Sequence, residues 1–174
     1  MHYGEIKSFD IADGPGVRVS LFVSGCTNRC ENCFQPQTWD FDFGTPFTEE
    51  TVETIVKMLA PSYIAGLTVL GGEPFEPSNQ RALLPFLRKI RSVYPNKTIW
   101  MYTGFTYEEL TTAGTHANCE ATDEILELID VLVDGRFVEA LKDITLLFRG
   151  SSNQRLIDIV ETRRLGQIVL WKKT

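Results

Sequence analysis

Short apolar strand-like runs alternate with amphipathic helical runs along this 174-residue chain. The alternation is typical of an α/β domain in which helices connect the strands. Strands are predicted over Glu5–Ile11, Val17–Val23, Leu67–Leu70, Thr98–Tyr102, Val131–Val133 and Gln167–Trp171. The first two strands flank the turn sequence Asp13-Gly14-Pro15-Gly16, which predicts an opening hairpin.

Local signals place the helices between these strands. Thr48 is a good N-cap, the acidic residues Glu49 and Glu50 follow it, and Pro61 is predicted to end this helix. A second helix is predicted over residues 79–93, where Pro85 either kinks it or marks a late start. Further helices are predicted after the capping-box pair Thr106 and Glu109 and around residues 125–129.

The length of the chain limits the architecture. A complete eight-fold α/β barrel takes about 250 residues, which exceeds the 174 present here. The chain is therefore predicted to form one domain, either an open α/β sheet or an incomplete barrel.

Three of the four cysteines lie close together, at Cys26, Cys30 and Cys33, while Cys119 stands apart. Three thiolates on one loop can hold a metal centre and leave one coordination position open for chemistry. Two other interpretations of the residues remain. One is a structural zinc site completed by Cys119, His2 or His116, and the other is a disulfide beside a free thiol.

Distinctive polar segments follow the predicted strands. The cysteine loop follows Val17–Val23, and Gly71-Gly72-Glu73-Pro74, Thr103-Gly104 and Asp134-Gly135-Arg136 follow the next three. Each segment alone is compatible with an ordinary turn. Because ligands bind at the carboxyl ends of parallel strands, we expect the four segments to converge on one site.

Charge and hydropathy exclude some functional classes. The net charge is −6 and the pI near 5.0, which argues against a nucleic-acid partner. No apolar run approaches the length of a membrane span, so no membrane association is expected. The first residues contain no secretory signal pattern, so we expect a cytoplasmic protein with reduced thiols.

The spacing Cys-x3-Cys-x2-Cys, followed downstream by Gly71-Gly72-Glu73-Pro74, resembles the radical S-adenosylmethionine (radical SAM) enzymes. The resemblance implies a 4Fe–4S cluster held by Cys26, Cys30 and Cys33, with S-adenosylmethionine on the fourth iron. In that superfamily, one electron from the cluster cleaves S-adenosylmethionine to methionine and a 5′-deoxyadenosyl radical. The open position inferred from three ligands agrees with this chemistry.

Further motifs narrow the resemblance. The run Asp13–Arg18 is similar to the glycyl-radical-enzyme activases. The runs that resemble the activating subunits of anaerobic (class III) ribonucleoside-triphosphate reductases are Leu21–Cys26, Ile99–Gly104, Val133–Phe137 and Arg149–Gln154. The implied fold is an incomplete (β/α)6-type barrel of the radical SAM kind. It would be a single domain over residues 1–174, with a hairpin at 1–23, a cluster loop at 24–36, a β/α core at 48–150 and an extension at 151–174.

The resemblance also implies cofactor-binding residues. Asn32 and Phe34, which flank the cluster ligand Cys33, are expected on the adenine side of S-adenosylmethionine. Gly71, Gly72 and Glu73 are expected at its methionyl ammonium group. Thr103, Asp134 and Arg136 are expected near its methionyl carboxylate. No role for Cys119 follows from the family, and it is expected to be a free thiol.

The implied partner is another protein. The chain carries no glycyl-radical motif of its own, so the hydrogen donor would be a glycine on a large reductase subunit. A flavodoxin-like electron donor is implied as well. The alternatives are an activase of another glycyl-radical enzyme, of the pyruvate formate-lyase type, and a zinc-stabilised binding module without catalysis.

Overall fold

The computed structural model describes residues 1–173 and contains one mixed β-sheet covered by helices. Within that range the strands are β1 (His2–Asp10), β2 (Val17–Val23), β3 (Thr45–Pro46), β4 (Ile64–Gly71), β5 (Thr98–Tyr102), β6 (Val131–Asp134) and β7 (Arg155–Asp158). Their order across the sheet is β3-β1-β2-β4-β5-β6-β7. The central strands β2, β4, β5 and β6 are parallel, and the outer pairings β3–β1, β1–β2 and β6–β7 are antiparallel.

Five α-helices occur in the described part of the chain. They are α1 (Glu49–Leu59), α2 (Pro77–Val93), α3 (Tyr107–Thr111), α4 (Thr122–Leu128) and α5 (Ile159–Leu165). The N-cap role of Thr48 is confirmed, and the side chain of Thr51 reciprocates it in a capping box. The capping box of Thr106 and Glu109 is confirmed at the start of α3. No helix of residues 1–173 is both long and apolar enough to cross a membrane.

Side chains alternate between the two faces of the sheet, as the pleat of a strand requires. One face packs against the helices, and its largely apolar side chains are buried: Val19, Leu21, Leu67, Val69, Ile99, Met101 and Leu132. The opposite face carries a smaller apolar cluster of Trp100, Val131, Val133 and Leu156, together with buried polar groups on β2 and β4. The second face therefore carries the polar side chains that could take part in binding or catalysis.

One fold prediction, at the C-terminal end of the chain, needs correction. Gln167–Trp171 is not a strand: Leu170 makes only an isolated bridge to Ile157, and the Trp171 ring packs on Trp100. The seventh strand is instead the short run Arg155–Asp158, which pairs with β6. The sheet has four parallel strands in residues 1–173, because the chain reverses after β6 into antiparallel β7. The incomplete (β/α)6-type barrel stays a prediction.

Candidate functional site

A cavity of about 530 Å³ opens at the carboxyl ends of the parallel strands, on the polar face of the sheet. All three clustered cysteines line it, and so do Phe34, Gly71, Gly72, Glu73 and Thr103. The expectation that the strand-end segments converge on one site is confirmed for the cysteine loop, the β4 end and the β5 end. Of the β6 segment, only Gly135 lines the cavity.

The cysteine loop is folded tightly onto its neighbours. Arg29 and Asn32 both have left-handed backbones, with φ of +47° and +54°, which side-chain-bearing residues rarely adopt. The Cys33 N–H donates to the Cys30 carbonyl at 3.2 Å, which closes the turn between these two cysteines. All three thiols are unbridged and partly exposed, so the loop presents them to the cavity.

The glycine pair after β4 allows the cysteine loop to approach the strand end. A Cβ atom at Gly72 would lie 2.7 Å from the Gly25 carbonyl oxygen, and Gly71 has a φ of +109°. The Gly72 N–H donates to Val23 at 2.7 Å, and the Glu73 N–H donates to the Gly25 carbonyl at 2.8 Å. Only glycine meets both requirements here without displacing the backbone.

Glu73 joins three parts of the site. Its fully buried carboxylate accepts hydrogen bonds from Thr103 Oγ1 at 2.7 Å, the Gly104 N–H at 2.7 Å, the Phe75 N–H at 2.9 Å and Asn28 Nδ2 at 2.9 Å. Four donors occupy the positions that a carboxylate offers. Burial nevertheless raises the pKa of Glu73 to about 7, because the charged form loses its hydration.

A second buried carboxylate, that of Glu76, holds the start of the cysteine loop. Glu76 accepts from the Thr27 N–H at 2.7 Å and from the Thr27 hydroxyl at 2.5 Å. Its other oxygen lies 2.7 Å from Nε2 of the half-exposed His116. Thr27 follows the first cysteine directly, so this contact fixes the start of the loop.

The remaining predicted residues divide into two groups. The ring of Phe34 is largely exposed, lines the cavity and lies 5.0 Å from the ring of Phe137. Asn32, Asp134 and Arg136 are not among the residues that line the cavity. Phe34 is thus placed for ligand contact, whereas these three are not.

Asp134 and Arg136 have partners elsewhere. Asp134 is 1% exposed, accepts from the Tyr107 N–H at 2.7 Å and forms an ion pair with Arg155 at 2.5 Å. The Arg136 guanidinium pairs with Glu109 at 3.1 Å. In this structure neither side chain lines the cavity, and both tie the end of β6 to α3. Their contact with the methionyl carboxylate stays a prediction.

The chain is similar to known proteins over most of its length. Residues 12–157 match a family model described as a 4Fe–4S single cluster domain. The anaerobic ribonucleoside-triphosphate reductase-activating protein of Escherichia coli K12 is 40% identical over 156 residues, which cover 88% of this chain and 96% of the relative. The protein of the same name from Enterobacteria phage T4 is 37% identical, covering 90% of this chain and 93% of the relative. The chain belongs to the family of anaerobic ribonucleoside-triphosphate reductase-activating proteins.

The cysteine site fits the cluster that this family's domain model describes. Each thiolate of a cluster binds a different iron, so the sulfurs need not converge on one point. In residues 1–173, no group of three or more His, Cys, Asp or Glu side chains is arranged to hold a single metal ion. Burial raises the pKa of the Cys26 thiol to about 11, with nearby Glu73 adding to the shift, so metal binding must displace a proton there.

The residues suggested as a fourth zinc ligand all lie against other partners. His116 contacts Glu76, and His2 lies 3.7 Å from Asp42. Cys119 Sγ lies 3.7 Å from the Thr122 hydroxyl and outside the cavity lining. This placement favours the activating-protein cluster over a closed zinc site.

Several residues of the cavity lining were not predicted to bind a cofactor. Asn28, Lys7, Asp13, Tyr102, Arg149 and Gln154 all line it. Burial and a hydrogen bond with Asp10 raise the pKa of Asp13 to about 7. Tyr102, which directly precedes Thr103, was recognisable from its position near a strand end, whereas Asn28 depends on a contact with Glu73, 45 residues away.

Proposed function

We propose that this protein is a radical SAM activase that reductively cleaves S-adenosylmethionine and generates a glycyl radical on an anaerobic ribonucleoside-triphosphate reductase. The observation that carries the proposal is the grouping of Cys26, Cys30 and Cys33 with the Gly71-Gly72-Glu73 turn around one cavity. The names of the relatives at 36–40% identity indicate the reductase as the partner.

The cluster, when bound by the three cysteines, supplies the electron that cleaves the sulfonium of S-adenosylmethionine. The chain's own residues bind and orient that molecule. Backbone groups of Gly71 and Gly72 and the carboxylate of Glu73 would receive the methionyl ammonium. Among the four donors to Glu73, only the Asn28 amide comes from the cysteine loop. Rotation of that side chain would free one acceptor position on Glu73 Oε2, which the Gly104 N–H still contacts, for the ammonium.

Two further residues would complete the ligand contacts. Phe34 offers an apolar surface beside the third cysteine, suited to the adenine ring. The Thr103 hydroxyl, which follows β5 and donates to Glu73, would contact the methionyl carboxylate. Asn32 would act through the backbone, because its left-handed conformation sets the direction in which Cys33 points.

The remaining parts of the proposal concern the molecule as a whole. The parallel strands β2, β4, β5 and β6 would be a short form of the incomplete radical SAM barrel, in one domain over residues 1–174. The partners would be the large reductase subunit, which supplies the glycine hydrogen, and a flavodoxin-like electron donor. The location would be cytoplasmic.

Replacement of a cluster ligand tests the proposal, with Cys119 as the matched control. Anaerobically purified Cys30→Ala protein is expected to lose most of its iron and sulfide and to release no 5′-deoxyadenosine with dithionite and S-adenosylmethionine. Cys119→Ala should match the parent chain in both measurements, because Cys119 lies outside the cavity.

Two outcomes would contradict the proposal. About one zinc per chain without iron or sulfide would indicate a binding module. Undiminished cleavage by Cys30→Ala would remove the ligand assignment. Electron paramagnetic resonance after mixing with a ribonucleotide reductase or with a pyruvate formate-lyase then identifies the protein that receives the glycyl radical.

A further inference from the structure

The run Arg149–Gln154 forms a closed loop at the edge of the cavity. The Gln154 side-chain oxygen accepts from the Gly150 N–H at 2.9 Å and from the Ser151 N–H at 3.1 Å. Its amide nitrogen donates to the Gly135 carbonyl at 3.0 Å, which fastens the loop to the end of β6. A side chain that fills the inside of its own loop fixes the direction of the neighbouring residues.

Phe148 holds the start of this loop in a strained conformation. Its φ is +58°, which is unusual for an aromatic residue. The Tyr102 hydroxyl donates to its carbonyl at 2.7 Å, and its ring packs on Trp100 at 5.5 Å and Trp171 at 6.1 Å. Strain of this kind persists where the surroundings fix the backbone, and it is common at ligand-binding loops. The next residue, Arg149, lines the cavity.

The Arg149 guanidinium has unused donors. One terminal nitrogen donates to the Gln154 carbonyl at 3.1 Å. Its Nε is buried and has no hydrogen-bond partner among residues 1–173, and no ion pair in that range includes Arg149. A buried guanidinium nitrogen without a partner is unfavourable. An anion bound in the cavity would satisfy it.

Gly150, the residue after Arg149, lies on the cysteine side of the cavity. A Cβ atom at Gly150 would be 3.2 Å from the Phe137 ring and 3.6 Å from the Phe34 ring, and Phe34 follows Cys33 directly. The other cation of the cavity lining, Lys7, lies with its ammonium 4.9 Å above the Phe22 ring, in the field of Asp10 and Asp13. Arg149 is therefore the cation free to meet an anionic group near the cysteines.

We propose that Arg149 is the carboxylate-binding residue of this cavity and pairs with the methionyl carboxylate of S-adenosylmethionine. This inference rests on the proposed function. It assigns to Arg149 the contact with the methionyl carboxylate that was expected of Arg136. The planar guanidinium suits a carboxylate, because its N–H groups can donate to both oxygens at once. The Arg149–Gln154 motif then acts as a rigid mount for that contact.

Equilibrium binding to the oxidised, cluster-loaded protein tests the inference without turnover. The probes are S-adenosylmethionine and decarboxylated S-adenosylmethionine, which lacks only the carboxylate. Arg149→Met is expected to weaken binding of the first by about 10- to 100-fold, the range of a charge-assisted hydrogen bond. Affinity for the decarboxylated probe should change by no more than about twofold, since that probe has no group for Arg149 to bind.

Two other variants sharpen the result. Arg149→Lys retains the charge without the planar fork, so its loss of S-adenosylmethionine affinity should fall between parent and Arg149→Met. Arg136→Met removes an arginine that is paired with Glu109 outside the cavity lining, and both affinities should stay at the parent values. If Arg149→Met does not load its cluster, Arg149→Lys decides by the same comparison of the two probes.

The outcomes separate the two proposals. Unchanged discrimination between the probes in the Arg149 variants, or its loss in Arg136→Met instead, overturns the inference alone. A parent protein that carries the cluster yet binds neither probe overturns the proposed function.

Discussion

Single side chains far apart in sequence hold the cysteine loop in place. Asn28 reaches Glu73, and Thr27 reaches Glu76, across separations of 45 and 49 residues. The two glutamates follow β4, so the loop that carries the thiols is fastened to the sheet at two points. Loops that present functional groups are commonly held by a rigid scaffold in this way.

Replacement of Glu76 should loosen the loop. Glu76→Ala removes the charged acceptor of the Thr27 N–H and hydroxyl, which is expected to reduce the free energy of unfolding by about 1.5–3 kcal/mol, the range for a hydrogen bond to a charged group. Loss of the cluster to a chelator should be faster as well. The measurements are urea unfolding and the rate of iron release under anaerobic conditions.

His116→Ala is the matched control for this change. The half-exposed His116 contacts the same carboxylate, and its removal leaves both Thr27 bonds intact. We expect it to change the free energy of unfolding by less than about 1 kcal/mol. Equal effects of the two variants would show that the Thr27 contact does not hold the loop.

At the scale of helices and strands, local signals were good guides where they were strong. The strand Thr98–Tyr102 and the N-caps Thr48 and Thr106 were predicted as observed. The second helix begins earlier than predicted, at Pro77, because proline suits the first helical position. Pro85 lies within that helix, where the buried side chains of Leu83 and Leu87 hold it against the core.

The cap of α1 offers a test of element stability. Thr48→Ala removes the hydroxyl that accepts from the Thr51 N–H, and a loss of about 0.5–2 kcal/mol is expected. Thr54→Ala is the control on the same helix, because Thr54 is exposed and bonds only the Glu50 carbonyl of its own helix. Alanine forms helix better than threonine, so the control should be neutral or slightly stabilising. Urea denaturation of both variants decides, and equal losses would contradict the role of the cap.

Over the whole molecule, one buried arginine connects the central strands on the polar face. The Arg18 guanidinium on β2 donates to Thr68 Oγ1 at 2.7 Å, to the Leu67 carbonyl at 2.8 Å and to Thr98 Oγ1 at 2.9 Å. Its face lies 5.6 Å from the Trp100 ring. Burial lowers the pKa of Arg18 to about 10, so it remains charged at neutral pH. The strands whose ends form the cavity are thereby held in register.

Loss of this arginine should weaken the entire fold. Arg18→Met leaves buried oxygens of β4 and β5 without a donor, and a loss of about 3 kcal/mol or more is expected. Arg81→Ala removes an exposed ion pair with Glu120, and its effect should be far smaller than that of Arg18→Met. Thermal and urea unfolding of both variants provide the measurement. A small effect of Arg18→Met would mean that sheet pairing alone sets the register.

Sequence patterns were sufficient to predict the α/β class, the parallel strands and the grouping of three cysteines with the Gly71-Gly72-Glu73 turn. These features follow from short-range periodicity, from residue spacing and from the rule that parallel strands end on one side. Sequence patterns did not predict the C-terminal strand correctly. The short strand Arg155–Asp158 has no strong pattern, and the apolar run Gln167–Trp171 packs mainly through side chains.

Which side chains reach the cavity depends on contacts that form in the folded chain. Asp134 and Arg136 follow a strand as the motif predicts, yet Arg155 and Glu109 hold them away from it. Asn28 enters the lining through a contact with Glu73 that no local pattern predicts, and Arg149 does so at the start of the loop that Gln154 closes. The physical reason is that a polar side chain bonds to whichever partner the register and loop closure bring within about 3 Å. The sequence position places a residue on a strand, helix or loop, and the neighbours in the folded chain determine where its charged group lies.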